Sequence, residues 1–420
     1  MHTIQLKVIQ TKEWSIFHTK KLPLIHVAFF LLFPGFFFYQ TLIGVGAIDA
    51  FLGGYFSVVS IALLAPLLFV YFQDVGRAKN FFMTTDFYYV LFLLYFSVTV
   101  VIHFATGADS KLVFDHLASI VHMLNLFIIF KMIDANERTF RIVTLLSLGA
   151  MSAIVFYFSI DGFFDLRDDA LINAAVVATY QGFARSYLLT FIVAMACYRK
   201  PATRILWYAL GIATLFTNGA RSEFAAMLAL IPLIELYHAR NKALVLMAIA
   251  CFLLLFTLLF HDIIRILPDS RILELADLSQ STSVSTRHYL TERALKTIAH
   301  NPILGDYGSY ATGAYSHNVL SAWVDLGLLG FLYLLAILLW PACELIVNGF
   351  FKKDKSSEFL MAASLIFVTI LLLASSHYFT DMLIGAALGA YARHKYVKRA
   401  RPAAIYDYAH ASAGNERAAR

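Results

Sequence analysis

The chain has 420 residues, is 60% hydrophobic and 14% charged, and has a mean hydropathy of +0.71; soluble domains carry about 25% charged residues. A soluble core cannot hide this many apolar stretches of about 20 residues, whereas each can cross a ~30 Å hydrocarbon layer as one helix, so the composition excludes a soluble globular protein. The formal net charge of +6 follows the sidedness of membrane loops and gives no reason to expect a nucleic-acid partner.

Twelve segments read as transmembrane helices: 22–46, 51–73, 87–106, 113–133, 139–160, 176–198, 203–219, 221–238, 242–261, 317–347, 358–378 and 381–396. The expectation is an all-α polytopic membrane protein, a single transmembrane domain over 1–420. The first span follows Lys20 and Lys21 and lacks a small-residue cleavage site, so it reads as a retained helix and not a signal peptide. With the N-terminus cytoplasmic, the cytoplasmic loops collect the cations: Arg77 and Lys79, then Lys131, Arg138 and Arg141, then Arg199, Lys200 and Arg204, then Arg240 and Lys242, then Lys352, Lys353 and Lys355. The opposite loop after span five is acidic, with Asp161, Asp165, Asp168 and Asp169 against Arg167. Both termini are expected in the cytoplasm.

One connection is long. Segment 262–316, between spans nine and ten, falls on the non-cytoplasmic side. It holds the polar stretch "LSQSTSVSTRHY" and then a predicted amphipathic helix from Ser285 to His300, in which Leu290, Ala294 and Ile298 share one face. Asn301 and Pro302 end that helix, and the glycine- and tyrosine-rich "GDYGSYATGAYSHN" leads into span ten. Residues 402–420 read as a disordered cytoplasmic tail. Cys197, Cys251 and Cys343 lie in or beside spans and imply no disulfide framework.

The charges inside or at the edge of apolar runs are the candidates for function. Arg221 sits in the tight connection "TNGARS", where Asn218 and Gly219 suit a sharp turn; an interfacial arginine that snorkels to headgroups is the alternative. Arg185 lies several residues inside span six, a position that costs ~3 kcal/mol or more unless it faces a protein interior, a cavity or an anion. An ion pair with an acid on another helix, such as Asp325, is its structural alternative. Arg265, Arg271, Arg287, Arg293 and Lys296 lie in the long loop, where water can solvate them all. Arg287 stands out because it falls in the first turn of the predicted helix, beside free backbone N–H groups. His317, followed by Asn318, opens span ten. Arginines grip phosphate oxygens bidentately, and a histidine beside them can take a proton near pH 7. Their common level predicts an anion site at the outer membrane surface for a lipid-linked diphosphate.

With these residues located, the chain from about 205 to 345 resembles the O-antigen ligase and O-antigen polymerase superfamily of bacterial membrane glycosyltransferases. The resemblance rests on "TNGARSEFAAMLAL", on "TRHYLTERALKTIAHNPILGDYGSY" and on "SHNVLSAWVDLGLLGFL", in that order. Ala220 and Ser222 stand where the family has Ser and Gly, and Asp306 adds a residue after Gly305. The resemblance implies a GT-C-like bundle of about 12 helices and a metal-independent transferase with no cofactor, in the bacterial inner membrane, with its active site periplasmic. It implies an undecaprenyl-diphosphate-linked glycan as donor, and lipid A-core or another glycan as acceptor. Arg221 and Arg287 would hold the diphosphate and His317 would orient or activate the acceptor hydroxyl. Arg185, Arg293, Tyr289 and Asn318 would contact substrate. The single long loop favours a ligase over a repeat-unit polymerase; a protein-glycosylating enzyme is a third member of the class. A transporter or lipid flippase is the reading from a different class, but it predicts a repeat relating two halves and broken helices near the midplane; the sequence shows neither, and the candidate charges crowd one surface.

Overall fold

The computed structural model describes residues 23–75, 84–166, 177–266, 272, 282–311, 313–350 and 356–397. The N-terminal cations, the Asp168–Asp169 pair, Arg271 and the tail 402–420 lie outside the described residues. Among those described there are thirteen helices and no strand beyond the isolated bridge between Ile160 and Phe163. In chain order α1 is Pro23–Gly44, α2 Phe56–Val75, α3 Thr85–Ala105, α4 Ser110–Met132 and α5 Arg138–Tyr157. Then come α6 Tyr180–Ala196, α7 Pro201–Asn218, α8 Arg221–His238, α9 Lys242–Ile266 and α10 Thr282–His300. The last three are α11 Leu320–Leu345, α12 Ser357–Ser375 and α13, 383–397.

Each of the twelve segments expected to span is helical. Eight of them, α1 to α5, α9, α11 and α12, are long and apolar enough to cross a membrane, so the chain is an all-α, multi-pass membrane protein. The other four are shorter or more polar: α6 has 17 residues, α7 carries Arg204, and α8 carries Arg221, Glu223 and Glu235. Burial explains how α6 and α13 are held, because most residues from Phe183 to Ala196 and from Leu383 to Ala392 are enclosed by other helices.

Aromatic rings fill the interior. Phe29 and Phe33 of α1 meet Phe130 of α4 at 5.9 and 6.4 Å, and Phe183 of α6 meets Phe37 and Phe164 edge-on at 5.0 and 5.2 Å. Lipid offers no hydrophobic drive for helices to associate, so close backbone approach matters more. Gly385 and Gly389 of α13, four residues apart, provide it: a Cβ there would stand 2.0 Å from the Met123 carbonyl and 2.3 Å from the Phe127 carbonyl of α4. Gly389→Val should therefore destabilise the bundle by about 1–3 kcal/mol, read as a lower melting temperature of the detergent-purified protein.

One end of the bundle is tied by ion pairs: the Arg204 guanidinium meets both oxygens of Glu235 at 2.7 Å, and Lys395 meets Glu344 at 2.5 Å. The expected arginines and histidine gather at the other end.

Candidate functional site

The floor of the site is a break in a helix. Within α11, Gly327 adopts φ 70° and ψ −179°, a conformation open in practice only to glycine. The break frees backbone groups from the helical ladder, and the segment after α10 takes them up: Asp306 N–H donates to the Val324 carbonyl (2.7 Å) and Leu328 N–H donates to the Ile303 carbonyl (3.0 Å). Trp323 Nε1 donates to the Pro302 carbonyl at 2.7 Å. Irregular backbone inside a membrane bundle survives where protein satisfies it in this way. The fit has no room for side chains, since a Cβ on Gly305 would lie 2.4 Å from the Val324 carbonyl and one on Gly327 2.5 Å from that of Ile303. "NPILG" and "VDLG" are thus one interlocked unit.

Asp325 extends that unit sideways. Its carboxylate is 1% exposed and accepts from Gly308 N–H at 3.0 Å, from the Tyr310 hydroxyl at 2.9 Å, and from the Tyr378 hydroxyl. His116 of α4 continues the network, with Nε2 2.9 Å from the Tyr378 hydroxyl and Nδ1 2.7 Å from that of Tyr307. The glycine- and tyrosine-rich turn is pinned from below at Gly308 and Tyr310.

The loop helix α10 docks on the same place. Leu290, Ala294 and Ile298 are each 7% exposed, as their spacing predicts, and Ala294 and Ile298 cluster with Val324, Leu320, Trp323 and Tyr310. The helix begins at Thr282, one turn before the expected Ser285, because "TSV" continues it toward its N-terminus. Arg287 consequently lies in the second turn, and the unpaired N–H groups, which belong to the first four residues, are not its neighbours by position.

Three expected residues converge across this floor. Gly219, with φ 77°, caps α7 in the left-handed region and turns the chain directly into α8, which Arg221 opens. Arg287 faces it from α10: burial first, and the Arg221 charge next, hold the Arg287 guanidinium below its ordinary range, while Tyr180 and Glu223 act the other way. His317, half-buried ahead of α11, is lowered by burial, then by Arg287 and by His377. Arg221 thus lies near enough for its charge to act on Arg287, and Arg287 near enough to act on His317.

Arg185 is paired, but not with Asp325, whose carboxylate is committed to the loop. Its Nη2 lies 3.2 Å from Asp381 Oδ2, 4.0 Å from Glu223 Oε1 and 3.1 Å from His377 Nδ1. His377 in turn has Nδ1 2.5 Å from Asp381 Oδ2 and Nε2 3.5 Å from Glu223 Oε1. Helices α6 and α8 and the connection 376–382 thus meet in one buried cluster of charge, and Tyr315 joins it to His317 through ring contacts of 4.3 Å with Tyr378 and 4.7 Å with His317.

The remaining expected contacts fall elsewhere. The Asn318 side chain works as a turn brace: its Oδ1 accepts from the Ser316 hydroxyl and Leu320 N–H, and its Nδ2 donates to Thr291 at 3.2 Å. Arg293 is exposed and donates to the Ser309 carbonyl at 3.0 Å, lining a small cleft with Tyr310, Tyr315 and Ser316. Tyr289 is 62% exposed, since two residues along a helix from Arg287 points it to another face.

Glu223, His377 and Asp381 are site residues that sequence reasoning missed. Two signals were available: Glu223 shares the first turn of α8 with Arg221, and the polar run "SSHYFTD" interrupts the last two apolar segments. Among the described residues no group of three or more His, Cys, Asp or Glu side chains is placed to hold a metal ion. No protein-family model matches the chain, and no curated protein matches it.

Proposed function

We propose that this protein is a membrane glycosyltransferase that moves a glycan from undecaprenyl diphosphate to an acceptor hydroxyl. The observation that carries this reading is the convergence of Arg221 and Arg287 from separate helices, with His317 beside them. Guanidinium groups grip phosphate oxygens bidentately and stay charged, and a diphosphate leaving group offers two phosphates to two such donors. The resemblance of the three quoted motifs to O-antigen ligases supplies the donor, the bacterial inner membrane and the periplasmic side. In this reading α6, α7, α8 and α13 complete a bundle of twelve spans, with α10 lying on the outer surface.

The reaction then proceeds in one displacement. The acceptor oxygen attacks the anomeric carbon, the bond from that carbon to the diphosphate oxygen breaks, and the electron pair leaves with the diphosphate. Arg221 and Arg287 meet the developing charge with groups already in place, which suits a transfer without metal. Neutral His317 accepts the hydroxyl proton. Because its pKa is lowered, His317 stays a base to more acidic pH than an ordinary histidine. The acidic limb of kcat/KM should accordingly fall below the ordinary histidine value of 6.5, and His317→Gln should abolish that limb together with most of the activity.

Lipid A-core is the acceptor we favour, because one long loop matches a ligase; a polymerase would use the same chemistry on the next repeat unit. Deleting the gene and resolving surface glycan on a gel tests this. A ligase leaves lipopolysaccharide uncapped while lipid-linked polymer accumulates. Capping by single repeats identifies a polymerase, and an unchanged ladder contradicts both.

A further inference from the structure

The buried cluster around Arg185 is more than the diphosphate reading requires, and its members differ in exposure. The Arg185 side chain is 26% exposed, against 1% for Glu223 and 6% each for Asp381 and His377. Arg185 is the most exposed of the four, and its charge acts on Tyr315, whose ring centroid lies 4.7 Å from that of His317.

The cluster also has a place for one more proton. Glu223 Oε2 accepts from the Ser222 hydroxyl at 2.7 Å, but Oε1 is buried, accepts no hydrogen bond among the described residues and lies 3.5 Å from His377 Nε2. On the far side of the ring Nδ1 lies 2.5 Å from Asp381 Oδ2. A neutral imidazole with its hydrogen on Nδ1 has one donor for these two carboxylates; an imidazolium has two. If Arg185 moved away while His377 was neutral, two buried carboxylates would be left without a cation, which is strongly unfavourable. An imidazolium between them removes most of that penalty.

We propose that Arg185 is a third guanidinium for the substrate diphosphate, and that His377 takes a proton from solvent onto Nε2 as Arg185 turns from Asp381 and Glu223 to the phosphate oxygens. His377 is a positioning residue here: it never touches substrate, and it holds the two carboxylates while Arg185 is engaged. The inference rests on the diphosphate reading above. The charged groups facing His377 are Arg185 from α6, Glu223 from α8, Asp381 on its own connection and His317 ahead of α11. Burial pulls the imidazole down and Asp381 raises it; with Arg185 lowering it and Glu223 raising it, the balance lies above the ordinary histidine value. Departure of Arg185 takes a cation from its side, so the bound state holds the proton to higher pH still. Binding therefore takes up a proton on the alkaline side of the unliganded value, and affinity falls there by up to about tenfold per pH unit.

The test is calorimetric binding of farnesyl diphosphate to the full-length, detergent-purified protein, in buffers of different ionisation enthalpy from about pH 7 to about pH 9.5. His317→Asn is the background, so that His317 contributes no proton. The expected result is uptake approaching one proton in that background, lost in His317→Asn/His377→Asn. The isosteric Glu223→Gln, which keeps the side-chain shape, should also lose it, and this variant decides the matter if His377→Asn does not fold. Binding without uptake in the background, or uptake that survives both changes, overturns the inference and leaves the diphosphate reading intact. Failure of the probe to bind even the unmutated protein sinks the diphosphate reading itself.

Discussion

Arg287→Ala should lower glycan transfer by about 10²–10³-fold or more while leaving the protein inserted and as stable as before. The sign of the stability effect makes this prediction sharp. A surface arginine that merely packs is destabilising to remove, but burial first, and then the nearby Arg221 charge, hold the half-buried Arg287 guanidinium below the ordinary range. Folding thus works against that charge, and alanine relieves repulsion. Transfer assayed in membranes beside a melting curve of the purified variant checks both halves. Activity lost together with stability would mark Arg287 as a structural residue. Arg221→Lys belongs to the same series: it keeps the charge and removes the planar fork, so a substantial loss of transfer is expected without loss of fold.

Gly327→Ala should have an effect of similar size by another route. Residue 327 is not among the charged groups of the site, yet its φ of 70° with ψ −179° is closed to alanine, and the added Cβ would meet the Ile303 carbonyl at 2.5 Å. The strain alone amounts to about 1–3 kcal/mol. Relief comes most readily by undocking the Ile303–Asp306 segment, which carries Gly308 and Tyr310 off Asp325 and loosens the route to His317. A lowered melting temperature together with lost transfer is the expected outcome, and faster proteolysis after α10 should accompany it. Wild-type behaviour of this variant would show that the break in α11 is not what holds the loop.

What sequence could reveal was local. The stripe of Leu290, Ala294 and Ile298 follows from a period of 3.6, and the turn at Gly219 from its residue types; both stand in the structure. All twelve apolar segments are helices, though α6 and α13 are held by burial among neighbours, which hydropathy does not encode. Arg221 and His317 stand out in the sequence as polar side chains at the edge of apolar runs, and Arg287 by its place near the start of a predicted helix. Their partners do not, because Arg185 meets Asp381 across 196 positions of chain, and such a pairing leaves no periodic trace. "VDLGLLGF" gives no warning that α11 breaks at Gly327, since one glycine in an apolar run reads equally as a packing site. The Asn318 side chain braces a turn and Tyr289 lies at the surface, placements that depend on the fold around them and not on residue type.

The central claim is that the end of the bundle bearing Arg221 and Arg287 releases a prenyl diphosphate as it transfers glycan. The measurement that meets it most directly uses purified protein in liposomes with EDTA, a synthetic undecaprenyl-diphosphate-linked oligosaccharide and lipid A-core, and follows both products. The account predicts glycosylated acceptor and free undecaprenyl diphosphate in equal amounts, with both lost in Arg287→Ala. Release as the monophosphate, transfer restored only by added divalent metal, or no transfer to lipid A-core or to a second repeat unit from well-folded protein would contradict it.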